Sequence, residues 1–295
     1  MSSPYPYDPY GSARQVYDYP PVEVVPPPRP MPRQRVWVHI LLFALTVLST
    51  LLVGGVFFSA GLLSILLAHE FGHYFAAKHY SVPVSLPYFI PFPLSLFGTL
   101  GAFIRMSPRI PHRRALFDIA AAGPLAGLVL AIPFTYVGIL FSRLLPKEAM
   151  PGAVITLGEP LLFQGLTWLA HGDLQQNVDM LLHPLAFAGW AGMFVTALNL
   201  LPIGQLDGGH ITHSLFGSHS RQVAFGMFGG LALFSVLQRN FTWLPLLIIL
   251  LVIGIQHPRS FDDGLPIGRG RVYVAILLAI IFVTCFSLVP IQLRP

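Results

Sequence analysis

The sequence predicts an all-α polytopic membrane protein, with about six to seven transmembrane helices around a three-helix core. Hydrophobic residues make up 54% of the 295 residues and charged residues only 10%, whereas a soluble domain carries about 25% charged residues. Seven apolar segments approach or exceed the roughly 20 residues that cross a bilayer. These segments are residues 37–58, 62–80, 116–141, 183–203, 222–237, 241–256 and 272–290.

Two of the segments, residues 222–237 and 241–256, are short for membrane spans. They form either two tilted spans joined at residues 238–240 or one shallower hairpin, and we prefer two spans. Residues 142–181 form the one sizeable loop on the outer side. At this length the loop is too short to hold a folded accessory domain of ordinary size.

Basic residues are distributed unevenly between the two sides of the predicted membrane. With seven spans and an internal amino terminus, thirteen Lys and Arg residues lie inside and four lie outside, namely Arg143, Lys147, Arg239 and Arg294. Positive residues concentrate on the cytoplasmic side of membrane proteins, so the amino terminus is predicted to be cytoplasmic. The net charge of +5 therefore reflects topology, and no basic patch indicates nucleic-acid binding.

Residues 1–34 contain ten prolines and few large apolar side chains. This composition predicts a disordered cytoplasmic tail, and residues 35–295 then form one polytopic membrane domain. The tail is either a flexible extension or a segment that binds a partner with a proline-binding groove. The first apolar run begins near Val36, so the first span is expected to act as an uncleaved signal anchor. Cys285 is the only cysteine, which excludes a disulfide within the chain.

Residues 82–104 are apolar enough to enter a membrane but cannot form a regular helix. Prolines recur through the first half of the segment, at positions 83, 87, 91 and 93, and each removes a helical hydrogen bond. Basic residues flank the segment on both sides, at Lys78 and Arg105, so both of its ends are expected at the cytoplasmic face. The sequence predicts a re-entrant, β-like loop, and the alternative is a partly buried surface loop.

The motif His69-Glu70-Phe71-Gly72-His73 lies inside the apolar segment 62–80. Residues four apart share one face of a helix, so His69 and His73 can direct their imidazoles at one metal ion. Glu70 lies beside them, where its carboxylate can reach a metal-bound water. An ionised side chain at membrane depth costs about 2.5–3.5 kcal/mol, which favours a functional Glu70. The alternative is a helix whose two histidines are merely packed or hydrogen-bonded.

A catalytic zinc ion has three protein ligands as a rule, so a third ligand is expected. Asp118 follows a helix start and is explained as an N-terminal charge. Asp207 follows Pro202 and Gly204, which interrupt the helix of segment 183–203. The end of this segment and the end of the helix with His69 and His73 both lie near the cytoplasmic face, so Asp207 is the preferred third ligand.

The motifs around these residues resemble the site-2 protease family of intramembrane zinc metalloproteases. The similar segments are residues 69–73, 98–102, 117–127, 199–202, 206–208 and 257–258. The resemblance implies that His69, His73 and Asp207 bind one Zn²⁺ ion per chain, that Glu70 activates water, and that Asn199 supports the site. It implies a catalytic core at about residues 60–210 of the compact type, because the loop 142–181 leaves no room for the PDZ domain of many members.

The same resemblance implies that the chain cleaves transmembrane segments of membrane proteins. A bacterial-type inner membrane is expected, and the distribution of basic residues predicts an active site toward the cytoplasm. A transmembrane substrate must unwind before its peptide bonds are accessible, and Gly98, Thr99, Leu100, Gly101 and Ala102 are predicted to pair with it as an added strand. Two alternatives are a catalytically silent homologue that binds membrane proteins and a metal-dependent transporter. Glu70 and the three ligands argue against the first, and no inverted repeat supports the second.

Overall fold

The computed structural model describes residues 34–108, 110–147, 155–175, 177–238, 243–253 and 266–293. Residues 1–33 of the predicted tail, residues 241–242 and 254–256 of one predicted span, residues 239–240 of the connection before it, and residues 257–258 of the family-like motifs lie outside these ranges. The helices in the described ranges are α1 Val36–His79, α2 Arg113–Leu140, α3 Leu161–His171, α4 Pro184–Asn199, α5 Asp207–Phe216, α6 Ser220–Leu237, α7 Leu244–Ile253 and α8 Arg269–Cys285. The strands are β1 Tyr88–Pro91, β2 Thr99–Phe103, β3 Arg143–Pro146, β4 Ile155–Leu157, β5 Val178–Leu181 and β6 Ile291–Leu293.

Helix α1 reverses direction at Gly55, which has φ 75° and ψ −173° within the helix. A straight helix of this length would extend about 66 Å. Instead the Gln34 side chain, next to the start of α1, donates to the carbonyl of Val84, five residues beyond its end. The two predicted segments 37–58 and 62–80 are therefore the two halves of α1. The break falls at Gly55 rather than at residues 59–61 because a positive φ is accessible to glycine at no steric cost.

The core of the fold is a three-helix packing of the second half of α1 with α2 and α4. Its buried side chains include Phe58 and Leu62 of α1, Leu128 of α2, and Trp190 and Met193 of α4. Trp190 stacks on Phe194 one turn later, with ring centroids 5.4 Å apart. The predicted three-helix core is found in this packing, which places the His69–His73 segment of α1 between α2 and α4.

Residues 82–107 form a β-hairpin that lies against the first half of α1. Strands β1 and β2 are antiparallel, with Tyr88 opposite Phe103 and Phe89 opposite Ala102. The base of the hairpin is held by His39, whose Nδ1 lies 3.1 Å from the carbonyl oxygen of Pro87. The tip is held by Ser49, whose hydroxyl donates to the carbonyl of Gly98 at 2.5 Å. The β-like character that the prolines predict is thus present.

The predicted outer loop 142–181 contains short regular elements. Strand β3 pairs with β5, so residues 143–146 and 178–181 lie side by side, and β4 pairs with β6 near the end of the chain. Helix α3 lies between them in the sequence and exposes Leu161, Trp168 and Leu169. No accessory domain is present among the described residues of this loop.

In the described part of the chain, three helical stretches are long and apolar enough to cross a membrane: Val36–His79, Arg113–Leu140, and Asp207–Leu237, which joins α5 and α6. The other predicted spans correspond to α4, α7 and α8, which have 16, 10 and 17 residues. A mostly helical membrane protein is therefore found, while six to seven spans stay a prediction.

Candidate metal centre

Three ligand atoms converge where α1 meets the start of α5. The Nε2 atoms of His69 and His73 lie 3.1 Å apart. The Oδ2 atom of Asp207 lies 3.4 Å from the first and 3.3 Å from the second. His69 and His73 are buried and Asp207 is partly buried. This is the one group of three or more His, Cys, Asp or Glu side chains in the described ranges that can hold a metal ion together.

The spacing of the three atoms fits a zinc ion. Tetrahedral ligands at about 2.0–2.1 Å from zinc are about 3.3 Å from one another, close to the separations found here. Two imidazole nitrogens and one carboxylate oxygen form a usual donor set for catalytic zinc, with the fourth position open to water. The residues present therefore fit Zn²⁺ by chemistry and by geometry.

A backbone carbonyl orients the imidazole of His73, and Asn199 lies beside the imidazole of His69. His73 Nδ1 donates to the backbone carbonyl of Ile119 at 2.7 Å, so the proton lies on Nδ1 and the lone pair of Nε2 points at His69 and Asp207. The side-chain amide nitrogen of Asn199 lies 3.1 Å from Nε2 of His69. Asn199 thus lies next to the imidazole of a candidate ligand, and its supporting role stays a prediction.

Asp207 reaches the histidines because the chain leaves helical geometry between α4 and α5. Helix α4 ends at Asn199 and α5 begins at Asp207 itself, so the ligand is the first residue of a new helix rather than the end of segment 183–203. At the other end of α5, Arg113 of α2 donates to the carbonyls of Ser214, at 2.8 Å from Nε, and Leu215, at 3.1 Å. This contact fixes the orientation of the short helix that carries the third ligand.

Glu70 lies in the wall of the same cavity, 5% exposed. The cavity has a volume of about 370 Å³ and is also lined by the three ligands, Asn199 and His210. Ile104, just past β2, lines the same cavity. A carboxylate beside an open metal position, in a cavity that admits water, is suited to accept a proton from that water.

Gly123 of α2 gives the His73 ring its space, a role the sequence does not reveal. A Cβ atom at Gly123 would lie 2.1 Å from Nε2 of His73. The run of small residues 120–127 predicts close helix packing, and either a bent helix or a functional segment explains it. The Ile119 carbonyl and the His210 side chain are further site components that sequence reasoning misses. The sequence gives little sign of either one, because neither residue belongs to a recognisable motif.

The predicted substrate-binding residues lie on the hairpin, near its tip and along β2. Gly98 packs on the α1 backbone, and the buried Thr99 hydroxyl donates to the carbonyl of Ile90 at 2.8 Å. A second cavity of about 380 Å³, between β2 and α4, is lined by Thr99, Leu100, Gly101 and Ala102 and reaches His69 and Glu70. Contact with substrate stays a prediction for all five residues.

Several known proteins similar to this chain are named zinc metalloproteases. The chain is 34% identical to the probable zinc metalloprotease EGY1, chloroplastic, of Oryza sativa subsp. japonica over 246 residues, 78% of the chain and 40% of that protein. It is 38% identical to the protein of the same name from Arabidopsis thaliana over 176 residues, 57% of the chain and 30% of that protein. EGY2, chloroplastic, of Oryza sativa subsp. indica is 34% identical over 239 residues, 78% of the chain and 42% of that protein.

The chain spans less than half the length of these relatives. No solved structure matches it significantly. The profile of Peptidase family M50 matches residues 57–237, a segment that contains Glu70, Asn199 and all three candidate ligands. Since this segment covers more than half of the chain, the chain belongs to Peptidase family M50, the site-2 protease family of zinc metalloproteases.

Proposed function

We propose that this protein is an intramembrane zinc metalloprotease that cleaves transmembrane segments of membrane proteins. The observation that carries the proposal is the convergence of His69, His73 and Asp207 to within 3.1–3.4 Å, beside the buried Glu70, on apolar helices. Membership of Peptidase family M50 supports the same chemistry. A silent binding homologue would have no need of Glu70 in the wall of the ligand cavity.

Each residue of the site has a defined part in peptide hydrolysis. His69, His73 and Asp207 would hold Zn²⁺, which when bound lowers the pKa of water and polarises the scissile carbonyl. Glu70 accepts a proton from the attacking water and passes it to the leaving amine. The Ile119 carbonyl keeps the His73 proton on Nδ1, and Asn199 holds its amide beside the His69 ring. Buried apolar helices around the cavity limit bulk water.

An unwound substrate can approach along the free edge of β2. Strand β1 covers one edge of β2. Arg105 donates its N–H to the Ser85 hydroxyl and accepts from the Ser85 N–H on the β1 side, so the N–H of the preceding Ile104 points away from β1. Backbone N–H groups alternate in direction along a strand, so Ala102 directs its N–H to the same side. The groove between β2 and α4 reaches both Glu70 and His69. A substrate strand added at this edge would have its peptide bonds next to the metal site.

The placement of the hairpin supports a re-entrant loop that enters the membrane from the cytoplasmic side. Its contacts with α1 run from His39 at the base to Ser49 at the tip. These residues are about 15 Å apart along the helix, which is half the thickness of a hydrocarbon core of about 30 Å. Basic residues at the ends of α1 and α2, Lys78 and Arg113, lie on the same side as the hairpin base and the site. We infer a cytoplasmic amino terminus and active site, with six to seven spans in a bacterial-type inner membrane.

The first experiment separates metal binding from catalysis in purified protein. Glu70→Gln should retain about one zinc ion per chain, because no ligand is removed, and should lose cleavage. His69→Ala, His73→Ala and Asp207→Ala should each lose zinc, measured by elemental analysis. Asp173→Asn, an acid-to-amide change at an exposed loop residue, is the matched control and should leave zinc content and cleavage unchanged.

The second experiment supplies the substrate. The Glu70→Gln variant is crosslinked in native membranes, and each protein that it retains is reconstituted in vesicles with the unsubstituted protein. Cleavage within an apolar segment, abolished by a zinc chelator, is the expected result. Cleavage by Glu70→Gln at the rate of the unsubstituted protein, or normal zinc content and activity in Asp207→Ala, would contradict the proposed mechanism.

A further inference from the structure

A cluster of three polar side chains lies where the end of α1 meets the first turns of α2 and α8. Its members are Tyr80, just after α1, Asp118 in α2 and Arg271 in α8. The guanidinium of Arg271 donates to both oxygens of Asp118, at 2.8 Å from Nε to Oδ1 and 2.6 Å from Nη2 to Oδ2. The hydroxyl of Tyr80 donates to Oδ2 of Asp118. All three residues are partly buried. Sequence reasoning explains Asp118 as a helix N-terminal charge, whereas the structure adds a two-pronged ion pair to α8.

The cluster is next in the chain to Ile119, whose carbonyl orients the candidate ligand His73. Asp118 directly precedes Ile119, whose carbonyl accepts the hydrogen bond from His73 Nδ1 at 2.7 Å. A carboxylate that is fixed by a bidentate arginine has little freedom to rotate. Because side chain and carbonyl belong to consecutive residues of one helix turn, the Asp118 contacts also restrict the position of the Ile119 carbonyl.

Arg271 is held on its own side as well. Its Nη1 donates to the Ile267 carbonyl at 3.3 Å, and its Nη2 lies 3.4 Å from the Tyr80 hydroxyl. In addition, Arg114 of α2 donates to the carbonyl of Pro266 at 2.7 Å, just before α8. The start of α8 is thus held to α2 through both Arg271 and Arg114. Helix α8 itself lies outside the segment 57–237 that matches the family.

We propose that Arg271 is a positioning residue of the metal centre, which acts through Asp118 and the Ile119 carbonyl to hold the His73 imidazole in its ligand orientation. The proposal rests on the proposed zinc site. It assigns α8 a role in catalysis: without the Arg271 contact, the support of His73 is weaker and the metal is bound less tightly. Partners that orient a ligand histidine affect metal affinity or activity by about 10–100-fold, and we expect about tenfold for this more distant contact.

The test uses Co²⁺ in place of zinc, since the visible absorption of bound Co²⁺ reports ligand geometry without any substrate. In full-length protein in detergent, Arg271→Gln should change the Co²⁺ spectrum and release zinc to a chelator about tenfold faster. It should also lower kcat more than it raises KM. Arg271→Lys, which keeps the charge but not the two-pronged contact, should be intermediate. Arg269→Gln, at an exposed residue in the same turn of α8, is the control and should match the unsubstituted protein.

Asp118→Asn is the second variant, because it removes the charge without changing side-chain shape. The double variant Arg271→Gln/Asp118→Asn should release zinc no faster than the more strongly affected single variant, since both substitutions break the same contact. Unchanged Co²⁺ spectra and zinc release in Arg271→Gln and Asp118→Asn, with only a lower melting temperature, would show a purely structural pair and overturn this proposal. Failure of the unsubstituted protein to bind Co²⁺ would instead overturn the proposed function along with it.

Discussion

Gly123 of α2 faces the ring of His73, so one added methyl group there tests the metal centre directly. The Cβ of alanine at this position would lie 2.1 Å from Nε2, 2.4 Å from Cε1 and 2.5 Å from Cδ2 of His73. Non-bonded carbon atoms prefer separations of about 3.5–4.0 Å, so the ring must move by more than about 1 Å. Metal–ligand distances tolerate about 0.2 Å. The ring therefore cannot remain a ligand in its present position.

The fold should survive this substitution. Alanine in place of glycine within a helix adds about 1 kcal/mol of helix stability, while overpacking costs about 1–3 kcal/mol. The net loss, about 0–2 kcal/mol, leaves a folded protein whose zinc affinity falls by about 100-fold. Zinc affinity is measured by competition with a fluorescent chelator, and folding by thermal unfolding in detergent.

Gly127→Ala is the matched control, one helical turn further along α2. Its Cβ would lie 3.3 Å from Cβ of His69, a tight contact that a small shift relieves. Zinc affinity should therefore stay close to that of the unsubstituted protein. Normal zinc affinity in Gly123→Ala, or an equal loss in both variants, would refute the assignment of His73 as a ligand held in this position.

Three further predictions address substrate, topology and pH. Ala102→Pro should abolish substrate cleavage with normal zinc content, because it removes a backbone donor at the free edge of β2, whereas Ala102→Ser should cost much less; equal activity of the two would exclude strand addition there. In a Cys285→Ala background, a cysteine at Ser218 should react with an impermeant thiol reagent only from the cytoplasmic side and one at Gln164 only from outside, and the opposite pattern would reverse the topology. Burial raises the pKa of Glu159, so its ionisation opposes folding as pH rises. Glu159→Gln should melt at a higher temperature than the unsubstituted protein at neutral pH and at the same temperature below about pH 4. Equal melting temperatures at both pH values would contradict this.

Features with a local pattern could be predicted from the sequence. Helical periodicity places His69 and His73 on one face whatever surrounds the helix, and apolar content identifies the membrane segments. The four prolines in residues 82–104 exclude a helix, and this segment forms the β1–β2 hairpin. Asp207 could be inferred because the helix break before it and the expected topology limit the candidates for a third ligand.

The sequence by itself determined the apolar helices, the hairpin segment and the histidine pair, because each depends on residues close together in the chain. Only the tertiary structure decided which distant groups complete the site. The Ile119 carbonyl, Gly123 and the Asp118–Arg271 pair contribute through packing between helices, and no spacing within one helix encodes such contacts. The reversal at Gly55 was likewise decided by tertiary structure, since the start of α1 packs against residues beyond its end and the glycine alone permits the turn.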